Sequence, residues 1–169
     1  MPHQSNEPPV RFPDLVISTQ ADVWRLCAHL VDRQSADDLT QEVYARAFAA
    51  LPRYRGDSPP RVWLLGIARH VCVDEVRRRT RRRRLLRSAP PPPTATPDPT
   101  GMVDLDHLLA ELDDDQRAAF VLTQVLGLRY AEAAEALGCP VGTVRSRVAR
   151  ARQALVEAMA TTEDDAAAD

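Results

Sequence analysis

The chain has 169 residues, 44% of them apolar and 27% charged, with a formal net charge of −2, which suits one ordinary domain or two small ones. No stretch approaches the apolar length of a membrane span, and the opening MPHQSNEPPVRFPD has neither the basic start nor the apolar core of a signal peptide, so a cytoplasmic protein without membrane contact is expected. All 22 basic residues are arginine and eight of them fall within residues 77–87, while the tail after Val156 carries five acids and no base, so the average conceals a segregation of charge.

Residues 1–19 read as an N-terminal arm. A first helix is predicted over about residues 20–31, with Val23, Leu26, Cys27 and Leu30 on one side. A second begins at Ser35, a good cap with Asp38 three positions on, and runs to about Ala50. Its two faces differ: Leu39, Val43, Arg46, Ala47 and Ala50 make a mostly apolar side, and Asp38, Gln41, Glu42 and Ala45 the other. Acids in a first turn also suit the helix dipole, so Asp37 and Asp38 have an adequate structural explanation on their own.

The passage LPRYRGDSPPRVW follows. Gly56 and Asp57 favour a bend, and Ser58 is a candidate cap for a helix opening with Pro59 and Pro60. Tyr54 between Arg53 and Arg55 supplies a π-face flanked by cations, the pairing expected where a protein meets unstacked bases. The third helix is predicted from Pro60 into the arginine block, burying Trp63, Leu64, Ile67, Ala68 and Val71 and leaving Arg61, Arg69, His70 and Asp74 outside.

Residues 88–101, SAPPPPTATPDPTG, hold six prolines and no large apolar side chain, so neither helix nor packed strand is expected there. Such a linker, extended like polyproline at about 3.1 Å per residue, would separate its flanking modules by up to roughly 40 Å. The expected fold is therefore all-α, with two small helical domains at 20–87 and 103–158, a proline-rich linker at 88–102 and an acidic tail at 159–169.

In the second module a short helix is predicted over residues 103–112, and Asp113 with Gln116 forms a capping pair for another running to about Leu126. Phe120, Val121, Val125 and Leu126 are its core candidates. Then comes YAEAAEALGCPVGTVRSRVARARQAL. An alanine-rich helix from Tyr130 stops at Gly138, which tolerates a left-handed backbone, and Pro140 opens the next helix. Val144, Val148, Ala151 and Leu155 recur at steps of four, three and four, one buried stripe, while Arg145, Arg147, Arg150 and Arg152 fan around the rest. Thr143 and Ser146 lie near the amino end of that helix, the end a recognition helix inserts into the major groove. This is the pattern of a DNA-binding helix-turn-helix.

The cysteines Cys27, Cys72 and Cys139 are odd in number, far apart and set in apolar helical patterns, which fits buried free thiols in a reducing compartment. They form no zinc spacing with His3, His29, His70 or His107, so neither metal nor cofactor is expected. No nucleophile and base, and no ligand set, marks an enzyme or a small-molecule site.

The order of motifs, ADDLTQEVYARAF, LPRYRGDS, WLLGIARHVCVDEVRRR and then LDDDQRAAFVLTQVLGLRYAEAAEALGCPVGTVRSRVARARQAL, resembles the extracytoplasmic-function sigma factors of bacterial RNA polymerase over about residues 20–84 and 103–158. The resemblance implies a subunit that binds core RNA polymerase and directs initiation at promoter DNA. It implies that Asp38, Gln41 and Glu42 dock on the polymerase. It gives the loop Arg53, Tyr54, Arg55, Gly56, Asp57 and Ser58, with Arg61, His70 and Arg77 on the adjoining helix, to the opened −10 element. It gives Thr143, Arg145, Ser146, Arg147, Ala149 and Arg150 to the −35 element. An anti-sigma factor is a further partner the resemblance suggests. Pro59-Pro60, His70 and Arg129 depart from the usual pattern of a small residue and aromatic, an asparagine and a serine cap. The competing reading is a helix-turn-helix regulator that works without polymerase; the acidic face at Asp38 to Glu42, which a repressor does not need, separates the two.

Overall fold

The structure, a computed structural model, describes residues 10–86 and 105–167, with side chains through residue 160, and every regular element among them is helical. The first half is a three-helix unit. Helix α1, Phe12–Leu30, buries Leu15, Thr19, Val23, Leu26, Cys27 and Leu30 along one stripe. It starts at Phe12 rather than near residue 20, because Pro13 suits a first turn and Leu15 and Thr19 carry the same stripe one and two turns further back. Thr19 lost its polar character to the sequence pattern by a local route: its hydroxyl donates to the Leu15 carbonyl (2.5 Å) and lies 3.0 Å from the Tyr44 hydroxyl. Residues 12–19 thus belong to the first module.

Helix α2, Ala36–Ala50, buries Leu39, Val43 and Ala47 as expected. Arg46 leaves that side; its guanidinium bridges Glu42 (2.6 Å) and Asp74 of α3 (2.9 Å). The Ser35 side chain does not cap α2, because its oxygen accepts from Arg79 Nη2 (2.6 Å) and its backbone N–H donates to Asp32 (2.7 Å). After a single 3₁₀ turn, Leu51–Arg53, helix α3 runs from Pro60–Leu85. Ser58 is not its cap either: Pro59 holds that position, and the Ser58 carbonyl accepts from the Tyr54 hydroxyl. Val62, Leu64, Leu65, Ala68, Val71 and Cys72 are buried, whereas Trp63 and Ile67 are half-buried. Glu75 is buried and paired with the more exposed Arg78 and Arg79; against the upward push of burial, Arg79 and then Arg78 hold its carboxyl below the usual range.

The second half is built from α4, Leu105–Ala110, α5, Asp114–Phe120, a wider π turn at Val121–Val125, α6, Tyr130–Leu137, and α7, Val141–Ala167. Asp113 caps α5 by accepting from the Gln116 N–H (2.8 Å), as its spacing predicts. Where a serine cap is missing, Arg129 opens α6 by donating its backbone N–H to the Glu132 carboxylate (2.8 Å), the reciprocal half of a capping box. Gly138 ends α6 in the left-handed region at φ 63°, and the Pro140 carbonyl accepts the first N–H groups of α7 from Thr143 and Val144. The stripe Val144, Val148, Ala151 and Leu155 is buried, at 9% exposure or less, against a core that includes Leu109, Leu122 and Ala133.

The halves touch directly; the linker lies outside the described residues. Helix α3 packs on α6, and at the crossing a Cβ placed on Gly66 would stand 3.6 Å from the Ala136 carbonyl oxygen. Polar contacts flank the seam: His29 to Asp106 (2.5 Å), Arg33 to Asp106 (2.6 Å), Arg61 Nη2 to the Leu126 carbonyl (2.7 Å) and Arg69 to Asp115 (3.5 Å).

Candidate nucleic-acid interface

The turn at Gly138 sets α7 at an angle to α6, and burial of the Val144 stripe fixes which side of α7 faces out. Arg145, Ala149 and Arg150 are exposed and Thr143 and Ser146 half-exposed, the Ser146 hydroxyl donating to the Thr143 carbonyl (3.0 Å). Among the described residues Arg145 and Arg150 make no hydrogen bond or ion pair, so both guanidinium forks are open to an acceptor. Arg147 is not. It turns inward, donating to Asp115 of α5 (2.5 Å) and lying 3.6 Å from the Cys139 sulfur, and Arg152 donates to Gln124 (2.6 Å).

In the first half, the loop after α2 exposes Arg53, Arg55, Gly56 and Asp57, with Gly56 at φ 80° making the bend. Tyr54 is turned away from solvent, 9% exposed, its ring 4.7 Å from that of Trp63. Burial, and then Asp57, push its phenol above the ordinary range. On α3, His70 is exposed with Nδ1 2.8 Å from the Gly66 carbonyl, which makes Nδ1 the protonated nitrogen and leaves Nε2 as an outward acceptor. Arg77 is exposed as well. Arg61 is held between Asp22 (2.8 Å) and the Leu126 carbonyl.

The outer side of α2 exposes Asp38 and Gln41, with Glu42 half-exposed and paired to Arg46. Sequence reasoning missed what borders it. Ile17, 79% exposed, and Trp24, whose indole N–H donates to Asp37 (2.9 Å), line a groove of about 740 Å³ with Gln41. Trp24 sits off the apolar stripe of α1, and that misplacement of an aromatic was the signal available in the sequence.

Residues 15–82 match the Sigma-70 region 2 family and residues 102–155 the Sigma-70 region 4 family. The ECF RNA polymerase sigma factor SigC of Mycobacterium tuberculosis is 51% identical over 144 residues, covering 82% of this chain and 78% of its own. The chain belongs to the ECF sigma factors. The ECF RNA polymerase sigma-E factor of Escherichia coli is 31% identical over 83% of this chain and 82% of its own. Among solved structures, the sigma factor RpoE of Bartonella quintana, in complex with the anti-sigma factor NepR, superposes with a TM-score of 0.74 at 28% identity, covering 86% of this chain and 94% of that one. CnrH, in complex with the cytosolic domain of CnrY, gives 0.69 at 27% identity over 89% and 88%.

As an ECF sigma factor the protein acts with RNA polymerase in promoter-specific transcription initiation. Its surfaces differ in their availability. The sigma factor's Arg145 and Arg150 on α7 are open, but α6 lies over part of α3, and Ser58, Trp63, Ile67 and His70 share a cavity of about 270 Å³ with Glu135 and Ala136. Among the described residues no group of three His, Cys, Asp or Glu side chains stands ready to hold a metal ion, and no helix is long and apolar enough to cross a membrane.

Proposed function

We propose that α7 reads the duplex −35 element through Thr143, Arg145, Ser146, Ala149 and Arg150, and that the loop Arg53 to Ser58 with Arg61, His70 and Arg77 receives the opened −10 strand. The observation that carries the reading is the division among the arginines: Arg145 and Arg150 are exposed and, among the described residues, unpaired, while Arg147 braces the helix against Asp115 and acts by positioning it. A guanidinium with no internal partner is available to fork onto guanine or phosphate. For the −10 strand, Arg53 and Arg55 supply cations, and Tyr54 reaches a base only if it leaves Trp63. Flipping that base costs a few kcal/mol of unstacking, which contacts in the loop offset.

Asp38, Gln41 and Glu42, together with the groove at Ile17 and Trp24, form the face for core polymerase. The packed arrangement is the free protein's state in this reading, and engagement of a promoter withdraws α6 from α3 and releases Arg61. The solved complexes of relatives support an anti-sigma protein as a further partner. The protein catalyses nothing itself and works in the cytoplasm, the nucleotide chemistry belonging to polymerase.

In vitro transcription with core polymerase and a randomised promoter library tests this. The expected result is a two-part consensus whose upstream part changes in the Arg150→Ala protein and whose downstream part does not. Tight binding of promoter duplex by the isolated chain, with no association with core enzyme, would overturn the reading in favour of a polymerase-independent regulator.

A further inference from the structure

Two of the three cysteines, 45 positions apart in the chain, meet inside the first half: the Cys72 sulfur on α3 lies 3.8 Å from the Cys27 sulfur on α1. Both are free thiols, buried to within 1% of complete. Cys72 nevertheless forms part of the wall of a cavity of about 290 Å³ at the seam between the halves, among Arg69, Arg77, Asp115 and Arg117. Cys72 is thus the one of the pair that borders open space, and Cys27, which does not line the cavity, stands behind it.

We propose that Cys27 and Cys72 form a reversible dithiol–disulfide site that reacts with hydroperoxides. Bringing the sulfurs from 3.8 Å to a bond of about 2.05 Å asks for less than about 2 Å of side-chain movement. The pair is also electronically unequal. The Cys72 thiol, and to a lesser degree the Thr40 hydroxyl, hold Cys27 below the ordinary thiol range against the opposing push of burial, while Cys27 and burial push Cys72 up. The Thr40 oxygen is itself buried without a conventional hydrogen bond, a polar atom left to serve this thiol. Cys72 is therefore the thiol at the cavity wall, and Cys27, behind it, is the one of the pair more readily deprotonated.

The chemistry follows that order. The Cys72 sulfur attacks one peroxide oxygen, the O–O bond breaks, and the departing oxygen takes the thiol proton as water, or as an alcohol from an organic hydroperoxide. The Cys27 sulfur then displaces hydroxide from the Cys72 sulfenic acid; the S–S bond forms and the hydroxide takes the Cys27 proton as water. Two thiols lose two electrons and the peroxide gains them. The high position of Cys72 makes the first step slower than for a free thiol.

The test uses the full chain, treated with hydrogen peroxide, alkylated under denaturing conditions and digested with trypsin. Cleavage after Arg25, Arg33, Arg69 and Arg77 releases LCAHLVDR and HVCVDEVR. We expect these two peptides joined by a disulfide and separated again by dithiothreitol, with Cys139 outside the linkage. The oxidised chain should unfold at a midpoint higher by roughly 5 to 15 °C, reversibly, because the bond closes a long loop of the unfolded chain. Cys72→Ser should show neither change. Recovery of both peptides as free thiols after Cys139 has been oxidised, their conversion to sulfinic acid without linkage, or linkage only through Cys139 would overturn the proposal, and none of these readouts depends on the promoter-binding roles.

Discussion

Arg147 and Arg150 stand three residues apart on α7, yet among the described residues the side chain of one is tied to Asp115 and that of the other to none. Their substitutions should therefore fail differently. Arg150→Ala is expected to weaken binding to the preferred −35 sequence by about 1 to 3 kcal/mol, with core-polymerase binding and thermal stability unchanged; equal loss on scrambled DNA would mark a phosphate contact instead. Arg147→Ala should lower the unfolding midpoint, since it leaves Asp115 without its 2.5 Å partner, and weaken all sequences alike. The outward arginines were legible in the sequence because the Val144 stripe fixes which side of α7 is buried. The inward one was not, because Asp115 is 32 residues away and no local pattern announces the pair. Tyr54 follows the same logic: its flanking arginines are local, but the Trp63 ring that draws it inward is reached only after the chain turns at Gly56.

At the scale of elements, helix ends with local chemistry came out as read and those with distant partners did not. Asp113 caps α5 and Gly138 closes α6, each through atoms within a few residues. Ser35 has the composition of a cap, but Arg79, 44 positions away, takes its side chain; Ser58 fails for a different reason, since Pro59 holds the cap position. Gly138→Ala is expected to destabilise the second half by about 1 to 2 kcal/mol, because alanine at φ 63° meets its own carbonyl even though open space surrounds the position. Chemical denaturation measures this, and an unchanged midpoint would show that α6 ends by another route. Glu42→Lys reverses charge on the outer face of α2 and sets two cations one turn apart with Arg46. It should abolish association with core polymerase in a pull-down while leaving duplex binding by α7 intact; unchanged association would remove Glu42 from that face.

For the whole molecule, the all-α character and the two-part division were legible, but the contact between the parts was not. The linker's reach suggested separation, and the residues that join the halves, such as His29 and Asp106, are 77 positions apart. Asp106 joins the halves electrostatically. Burial raises its carboxyl pKa, but Arg33 and then His29 outweigh that and hold it below the usual value. A depressed folded pKa means that this carboxylate stabilises the packed state above its unfolded value of about 4, and that the contribution fades as pH falls through the lower, folded one. Asp106→Asn should thus be less stable than the parent from neutral pH down to about 4, with the difference lost as pH falls on through the lower, folded value. Small-angle scattering at neutral pH should also show a larger radius for Asp106→Asn; an identical radius and stability would mean that the α4 contact adds nothing.

The crossing of α3 and α6 is made where one helix offers Gly66 and the other the backbone of Ala136. Helices that meet through such small groups have no long side chains threaded between them. The large buried residues of the two halves, Leu64 and Leu65 in one and Leu109 and Leu122 in the other, belong to one buried cluster. Parting the halves melts no helix, but it must first release the Arg61, Arg69 and Asp106 contacts that flank the crossing before the −10 surface is bared.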